Sequence, residues 1–410
     1  MAITSTPAHA RDWTGAASAN WSNPNNWSPI GVPTNGDSVT FGDVSDSHRA
    51  MINDLTNLKL KDVTFVNNGY QLDGNSLEVD GVLFDGDDTS NNSHTTTINC
   101  PLVFTGHGDV PGWNAPRITM GLVNGAATET TIYLHLNGPI TLNGNLDLFA
   151  YASQYSAGGN DHLYVSGVIS GTGDIHAFAA EEDGHTSTIE FNGTPGNTFT
   201  GTLNVETVGA GQIIFNKSSG VVVSNGIGMI RGDGFPAATA NLNIAAQNQI
   251  DTNATITVYG GSQLHLMGNS ASVGYLVLTN SSADTVASVI DTGSTALELN
   301  GGIVAWNDNS SVIPAVKGKL NLNGPQFFTT GGSQYAGLEL PSVVASSGGD
   351  GGFTKLGTAA LLLEASNTFY GPVFANEGIL DLRNNHALGD PVTSTFLGGG
   401  SLTLRNVTIP

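Results

Sequence analysis

The stretch from Phe353 to Pro391, FTKLGTAALLLEASNTFYGPVFANEGILDLRNNHALGDP, constrains the fold most strongly, because its apolar runs are short and each is soon stopped by Gly or Asn. Ala360-Leu361-Leu362-Leu363, Pro372-Val373-Phe374-Ala375 and Ile379-Leu380-Asp381-Leu382 have the length of strands, not helices. Gly and Asn tolerate the positive φ of tight turns, so the chain reverses or bends after each run. Antiparallel hairpins satisfy this pattern, and so do the coils of a solenoid in which each strand stacks on its equivalent one coil below.

Period-two alternation extends this reading over most of the chain. Leu58-x-Leu60, Val63-x-Phe65, Leu77-x-Val79, Ile140-x-Leu142, Leu242-x-Ile244, Leu264-x-Leu266 and Leu402-x-Leu404 each place one face of a short run inward and the other toward solvent. Gly accounts for 54 of the 410 residues and charged side chains for only 11%, less than half the usual share. Asn, Thr and Ser fill the polar positions instead. Stacked coils favour them, because uncharged amides and hydroxyls pair with their copies above and below whereas like charges at strand spacing repel.

The order Thr354-Lys355-x-Gly357, Leu361-x-Leu363, Asn367-Thr368-Phe369-x-Gly371, Gly378-x-Leu380-x-Leu382 and Asn384-Asn385-His386-Ala387-Leu388-Gly389 resembles the autotransporter-associated β-strand repeat of bacterial surface and secreted proteins. A looser copy carries Leu163-Tyr164-Val165-Ser166-Gly167-Val168-Ile169-Ser170-Gly171 and then Asn197-Thr198-Phe199-x-Gly201. The resemblance implies an all-β fold, a right-handed parallel β-helix of the passenger-domain type. It also implies a secreted or cell-surface location and structural or adhesin-type roles. With coils of roughly 20 to 25 residues, the region 51–410 is expected to form about fourteen to eighteen coils.

Residues 1–50 differ from the rest, holding Trp13, Trp21 and Trp27, three of the five tryptophans. Their pattern resembles the N-terminal segment found ahead of many such repeats. An open solenoid end exposes apolar side chains and unpaired backbone groups, so these rings are expected to cap it. A platform for sugar rings is the alternative. Ala8-His9-Ala10 has the small-x-small form of a signal-peptidase site, although Met1 to Pro7 lacks an apolar core. No aromatic-ended barrel segment follows the repeats, as expected of a fragment or of a protein exported by another route.

The formal charge of −22 disfavours nucleic acid and anionic membranes as partners and leaves neutral glycans, cations or copies of the chain itself. No apolar run is long enough to insert as a membrane helix. The single Cys100 allows no internal disulfide and reads as a small buried apolar residue.

The main functional expectation is a non-catalytic rod for adhesion, self-association or glycan contact. Since β-helices also carry polysaccharide lyases and glycoside hydrolases, the alternative is a carbohydrate-active enzyme, which needs carboxylates or imidazoles converging on one groove. The candidates are Asp161, His162, His176, Glu181, Glu182 and His185, the last three in Glu181-Glu182-Asp183-x-His185. No cofactor is expected; Asp85, Asp87 and Asp88 in Asp85-Gly86-Asp87-Asp88 offer hard oxygens for Ca²⁺ without the spacing of an EF-hand, and a plain turn is the simpler reading. Arg231-Gly232-Asp233 matches an integrin-type tripeptide, which is a cheap match in so Gly-rich a chain.

Overall fold

The computed structural model describes residues 10–45, 48–86, 93–106, 116–120, 131–151, 160–180, 186–229, 240–348 and 350–408. They are all-β apart from one 3-10 turn, Pro24–Asn26. The strands stack in parallel as a β-solenoid of about 13 turns. Two compact units are present, one of residues 1–203 and 207–220, the other of residues 204–206 and 221–410.

Three parallel ladders build the first unit. One runs through Ser38–Phe41, Val63–Phe65, Val82–Asp85, Arg117–Met120, Leu146–Tyr151 and Ile175–Ala180. A second runs through Ala50–Asn53, Tyr70–Gly74, His94–Ile98, Ile132–Leu136, His162–Val165, Thr188–Phe191 and Gln212–Phe215. A third joins Leu58–Leu60, Leu77–Val79, Leu102–Phe104, Ile140–Leu142 and Ile169–Gly171. The alternation read from the sequence is met directly, since Leu72, Ile98, Leu136, Val165, Phe191 and Phe215 stand in one register column and all are buried. Each such side chain contributes about 1.5–3 kcal/mol on burial, so the core is a sum of small stacked terms.

Fewer turns form than the sequence spacing predicts, because coil length varies. Ala360 pairs with Ile379 nineteen residues on, whereas His94 pairs with Ile132 thirty-eight residues on. A solenoid accepts such insertions at its corners, where added residues leave the strand register intact. The expected uncharged polar stacks are also present: Asn137 Nδ2 donates to Asn99 Oδ1 at 3.0 Å and Asn323 to Asn300 at 2.7 Å, while Asn99 in turn donates to the Asp73 carboxylate at 2.8 Å.

At the start of the first unit, Ala10–Trp13 adds one parallel rung onto Ser38–Phe41, and the two-residue strand Trp27–Ser28 covers its other edge in antiparallel pairing. A strand this short followed by Pro29 offers little further edge to pair. Trp13, Trp21 and Trp27 are 2%, 0% and 1% exposed and pack as a cluster, with centroids 5.0 Å apart for Trp13 and Trp27 and 5.5 Å for Trp21 and Trp27. Phe41 stacks on Trp21 at 5.6 Å and on Phe65 at 4.7 Å, continuing the cluster into the ladder. The sugar-platform alternative for these rings is therefore corrected: their faces contact one another and present nothing to a ligand.

In the second unit the ladders are joined by long strands that bend around corners, Ala271–Asn280, Val289–Asn307 and Ala315–Leu322. The strand Ala360–Leu363 is buried on both sides, unlike its neighbours, because Ile313 and Ile379 pack on the outward Ala336, Ala360 and Leu362.

The repeat signature now has a physical account. Asn367 is buried between coils: its Oδ1 accepts the Val344 N–H at 2.8 Å, and its Nδ2 donates to the Ala387 carbonyl at 2.6 Å. Asn197, in the first unit, likewise accepts the Ile169 N–H at 3.0 Å. Phe369 and Phe199 are fully buried beside them. Lys355 points inward and its ammonium donates to the carbonyls of Leu356, Gly357 and Glu377 at 2.7, 2.8 and 3.2 Å, closing the turn at Gly357, whose φ is +78°. These signature side chains face the inside of the coils.

Cys100 is buried as the sequence suggests, and burial pushes its thiol up to about 12. In the folded chain it is expected to stay unmodified by iodoacetamide at neutral pH and to react fully in denaturant, as mass spectrometry would show.

Candidate functional site

Of the ionisable residues singled out in the sequence for catalysis, the three that the structure describes, Asp161, His162 and His176, do not share a groove. Asp161 and His162 are consecutive and alternate in direction: Asp161 is 3% exposed, whereas the His162 ring lies outward on the second ladder. His176 stands on a different ladder, beside Asp147, with Nδ1 and Oδ1 3.8 Å apart. Glu181, Glu182 and His185 lie outside the described residues, as do Asp87, Asp88 and the Arg231-Gly232-Asp233 tripeptide.

Asp161 is a core group. Its Oδ1 accepts the Ile132 N–H at 3.3 Å, and burial raises its pKa to about 8, so it is largely protonated at neutral pH. Asp85, the one described residue of the proposed Ca²⁺ loop, is also fully buried, with Oδ1 2.8 Å from His94 Nε2 and 2.8 Å from Thr96 Oγ1. A carboxylate held this way inside the coil removes Asp85 from the alternative reading of an exposed Ca²⁺ loop. Among the described residues no group of three or more His, Cys, Asp or Glu side chains is placed to hold a metal ion.

His162 belongs to a small ring array. It stacks on Tyr133 at 5.3 Å and lies parallel to Tyr164 at 5.9 Å, which stacks on His135 at 4.8 Å. Burial lowers the pKa of both imidazoles, opposed by Glu190 at His162 and by Asp85 at His135, and both rings are neutral at physiological pH. Stacked rings at strand spacing are what a parallel ladder produces when aromatic residues fall in register.

A larger exposed surface lies on one ladder of the second unit, through Thr255–Tyr259, Ala271–Asn280, Val289–Asn307, Gln326–Gly331, Phe353–Leu356 and Val373–Ala375. Its inward residues are buried and mostly apolar, with Lys355, Thr330, Asn280 and Asn307 among the polar ones. Its outward residues are unusual: Tyr275, Trp306 and Phe327 are 52%, 52% and 57% exposed. Exposed aromatic residues gathered on one ladder face mark a contact surface more often than does a scattering of single apolar residues.

The seating of the rings shows that the surface is built for them. A Cβ added to Gly331 would meet the Trp306 ring at 2.5 Å, and one added to Gly301 would meet the Tyr275 ring at 2.6 Å. Neither glycine has a positive φ, so these positions need glycine for the missing side chain, not for backbone freedom. Each ring thus occupies the space above a glycine of the next coil. Trp306 is further held by its Nε1 donating to Asp308 Oδ2 at 3.0 Å. The central outward positions, Thr257, Val277, Val304 and Thr329, carry no charge.

Sequence reasoning missed this surface. Its signal, aromatic residues at solvent-facing strand positions with Gly or Thr at the equivalent position one coil later, exists only once the inter-coil register is known. No protein-family model, curated protein or solved structure matches the chain.

Proposed function

We propose that the chain is a non-catalytic, secreted or cell-surface β-solenoid of adhesin type, as its resemblance to autotransporter-associated repeats implies, and that the aromatic ladder of the second unit contacts neutral glycan. The observation that carries this reading is the pair of half-exposed rings, Tyr275 and Trp306, each seated over a glycine reserved for it. Amphipathic rings present an apolar face at little entropic cost and are the residues that dominate contact energetics. The uncharged surroundings suit a polar but neutral partner, and the net charge of −22 disfavours polyanions. Of the residues singled out for catalysis, Asp161 lies in the core and His162 and His176 stand on separate ladders, an arrangement that gives these three no acid–base pair for glycoside cleavage.

A glycan array run alongside a reducing-sugar release assay tests the proposal. The wild-type chain is expected to bind neutral glycans without releasing sugar. Trp306→Ala, and Gly331→Val, which keeps the ring but removes its seat, are each expected to weaken binding about tenfold. Sugar release by the wild type, or binding unchanged in both variants, would sink the reading.

A further inference from the structure

The exposed rings of this ladder are not merely clustered; they alternate. In one outward column the register runs Thr255, Tyr275, Gly302, Phe327, Thr354, Phe374, with an aromatic ring on every second coil and a small residue between. In the column four residues farther along the strands it runs Tyr259, Thr279, Trp306, Gly331, again aromatic on every second coil, but one coil out of phase with the first. All five rings are at least 38% exposed. Beyond Phe374 the alternation stops, since Phe396 on the next coil stacks against it at 5.0 Å.

Strand spacing turns this pattern into a length. Two coils span about 10 Å along the ladder, and four residues along a strand span about 13 Å across it. The face is therefore a checkerboard with an aromatic repeat of about 10 Å along each of two parallel lines. An extended β-1,4-linked chain of hexopyranose units is flat, and successive sugars are related by a half-turn. The same ring face therefore returns at every second sugar, a repeat close to two strand spacings. α-Linked and β-1,3-linked chains coil and lose that periodicity. No outward residue in either column or between them is charged, so the face offers a uronate polymer no cationic partner, and the net charge of −22 opposes one.

We infer that the ligand of this face is an uncharged β-1,4-linked hexopyranose polymer in its extended ribbon form, lying along the ladder with every second sugar on a ring, two chains side by side. This assignment rests on the glycan-contact reading above and adds the linkage and direction of the ligand. Tyr275, Phe327 and Phe374 would hold one chain, and Tyr259 and Trp306 the other.

The test is depletion of the full chain from solution by four insoluble glycans: microcrystalline cellulose, chitin, starch granules and a β-1,3-glucan. Besides the wild type it uses Phe327→Ala and the double change Phe327→Ala with Thr354→Phe, which restores the aromatic area one coil out of place. Both positions are outward, and matching thermal melts establish that the variants fold. The inference expects binding to cellulose and chitin, with both variants about tenfold weaker. Equal binding to starch or the β-1,3-glucan, or full rescue by the displaced ring, would overturn the ribbon assignment while leaving glycan contact in place. Binding to none of the four, or a sedimentation profile in which the wild type assembles and Phe327→Ala does not, would overturn both.

Discussion

Replacing Asn367 by Ala is expected to destabilise the second unit by about 3–5 kcal/mol, measured as a shift in the midpoint of chemical denaturation at unchanged slope. The amide bridges two coils at once, accepting from Val344 N–H and donating to the Ala387 carbonyl while itself only 4% exposed. Removing it leaves a buried donor and a buried acceptor without partners, each costing about 1–3 kcal/mol, and a small void beside Phe369. Asp at the same position keeps the acceptor and, while protonated, can donate through its O–H, so Asn367→Asp is expected to fall between Ala and the wild type at low pH and to lose stability as the carboxyl ionises and the donor is lost. If Asn367→Ala melts like the wild type, the signature asparagine is not what ties the coils together. Because the chain has two compact units, the change is read from a probe in the second, such as the exposed Trp306.

The second large effect concerns pH. Asp161 titrates near 8 in the folded chain and near 3.8 when unfolded, because burial disfavours its charged form, with Asp85 reinforcing and His94 and the Ile132 N–H opposing. The folded state therefore binds more protons than the unfolded state between these two values. Stability from this group is full below about pH 4, declines as pH rises from there to about 8, and falls by at most about 6 kcal/mol across the window. Asp161→Asn keeps an acceptor for Ile132 and cannot ionise. The stability difference between variant and wild type is thus expected to grow in the variant's favour from pH 4 to pH 8 and to level off above. A constant difference over that range would show that Asp161 does not carry the dependence. An enzymatic role for Asp161 predicts the opposite priority, loss of an activity with little change in stability.

The parts of the fold that were legible in the sequence are those that depend on local pattern. Leu58-x-Leu60 or Leu242-x-Ile244 can bury one face only as strands, and Asn367-Thr368-Phe369-x-Gly371 marks a turn whether or not its neighbours are known. The candidate site was barely legible. The acidic and imidazole residues between Asp161 and His185 invited an enzymatic reading because they are close along the chain, yet in strands consecutive residues point to opposite faces, and that separates Asp161 from His162. The tryptophans near the N-terminus read as a cap over the open ladder end, with a sugar platform as the alternative, and their burial removes that alternative.

By itself, then, the sequence determined that this protein is built of short strands that each bury one face, because period-two apolar runs broken by Gly and Asn cannot do so as helices. Hairpins and coils both satisfy that pattern; the repeat resemblance implied the parallel coils, and the structure shows them. Tertiary structure alone decided which outward residues become neighbours. Tyr275 meets Gly302 and then Phe327 across coils of 27 and 25 residues, while Ala360 meets Ile379 across 19. With coil lengths that vary, no fixed spacing in the sequence exposes the aromatic checkerboard. It comes into being only when the buried columns lock in register and carry the outward side chains with them.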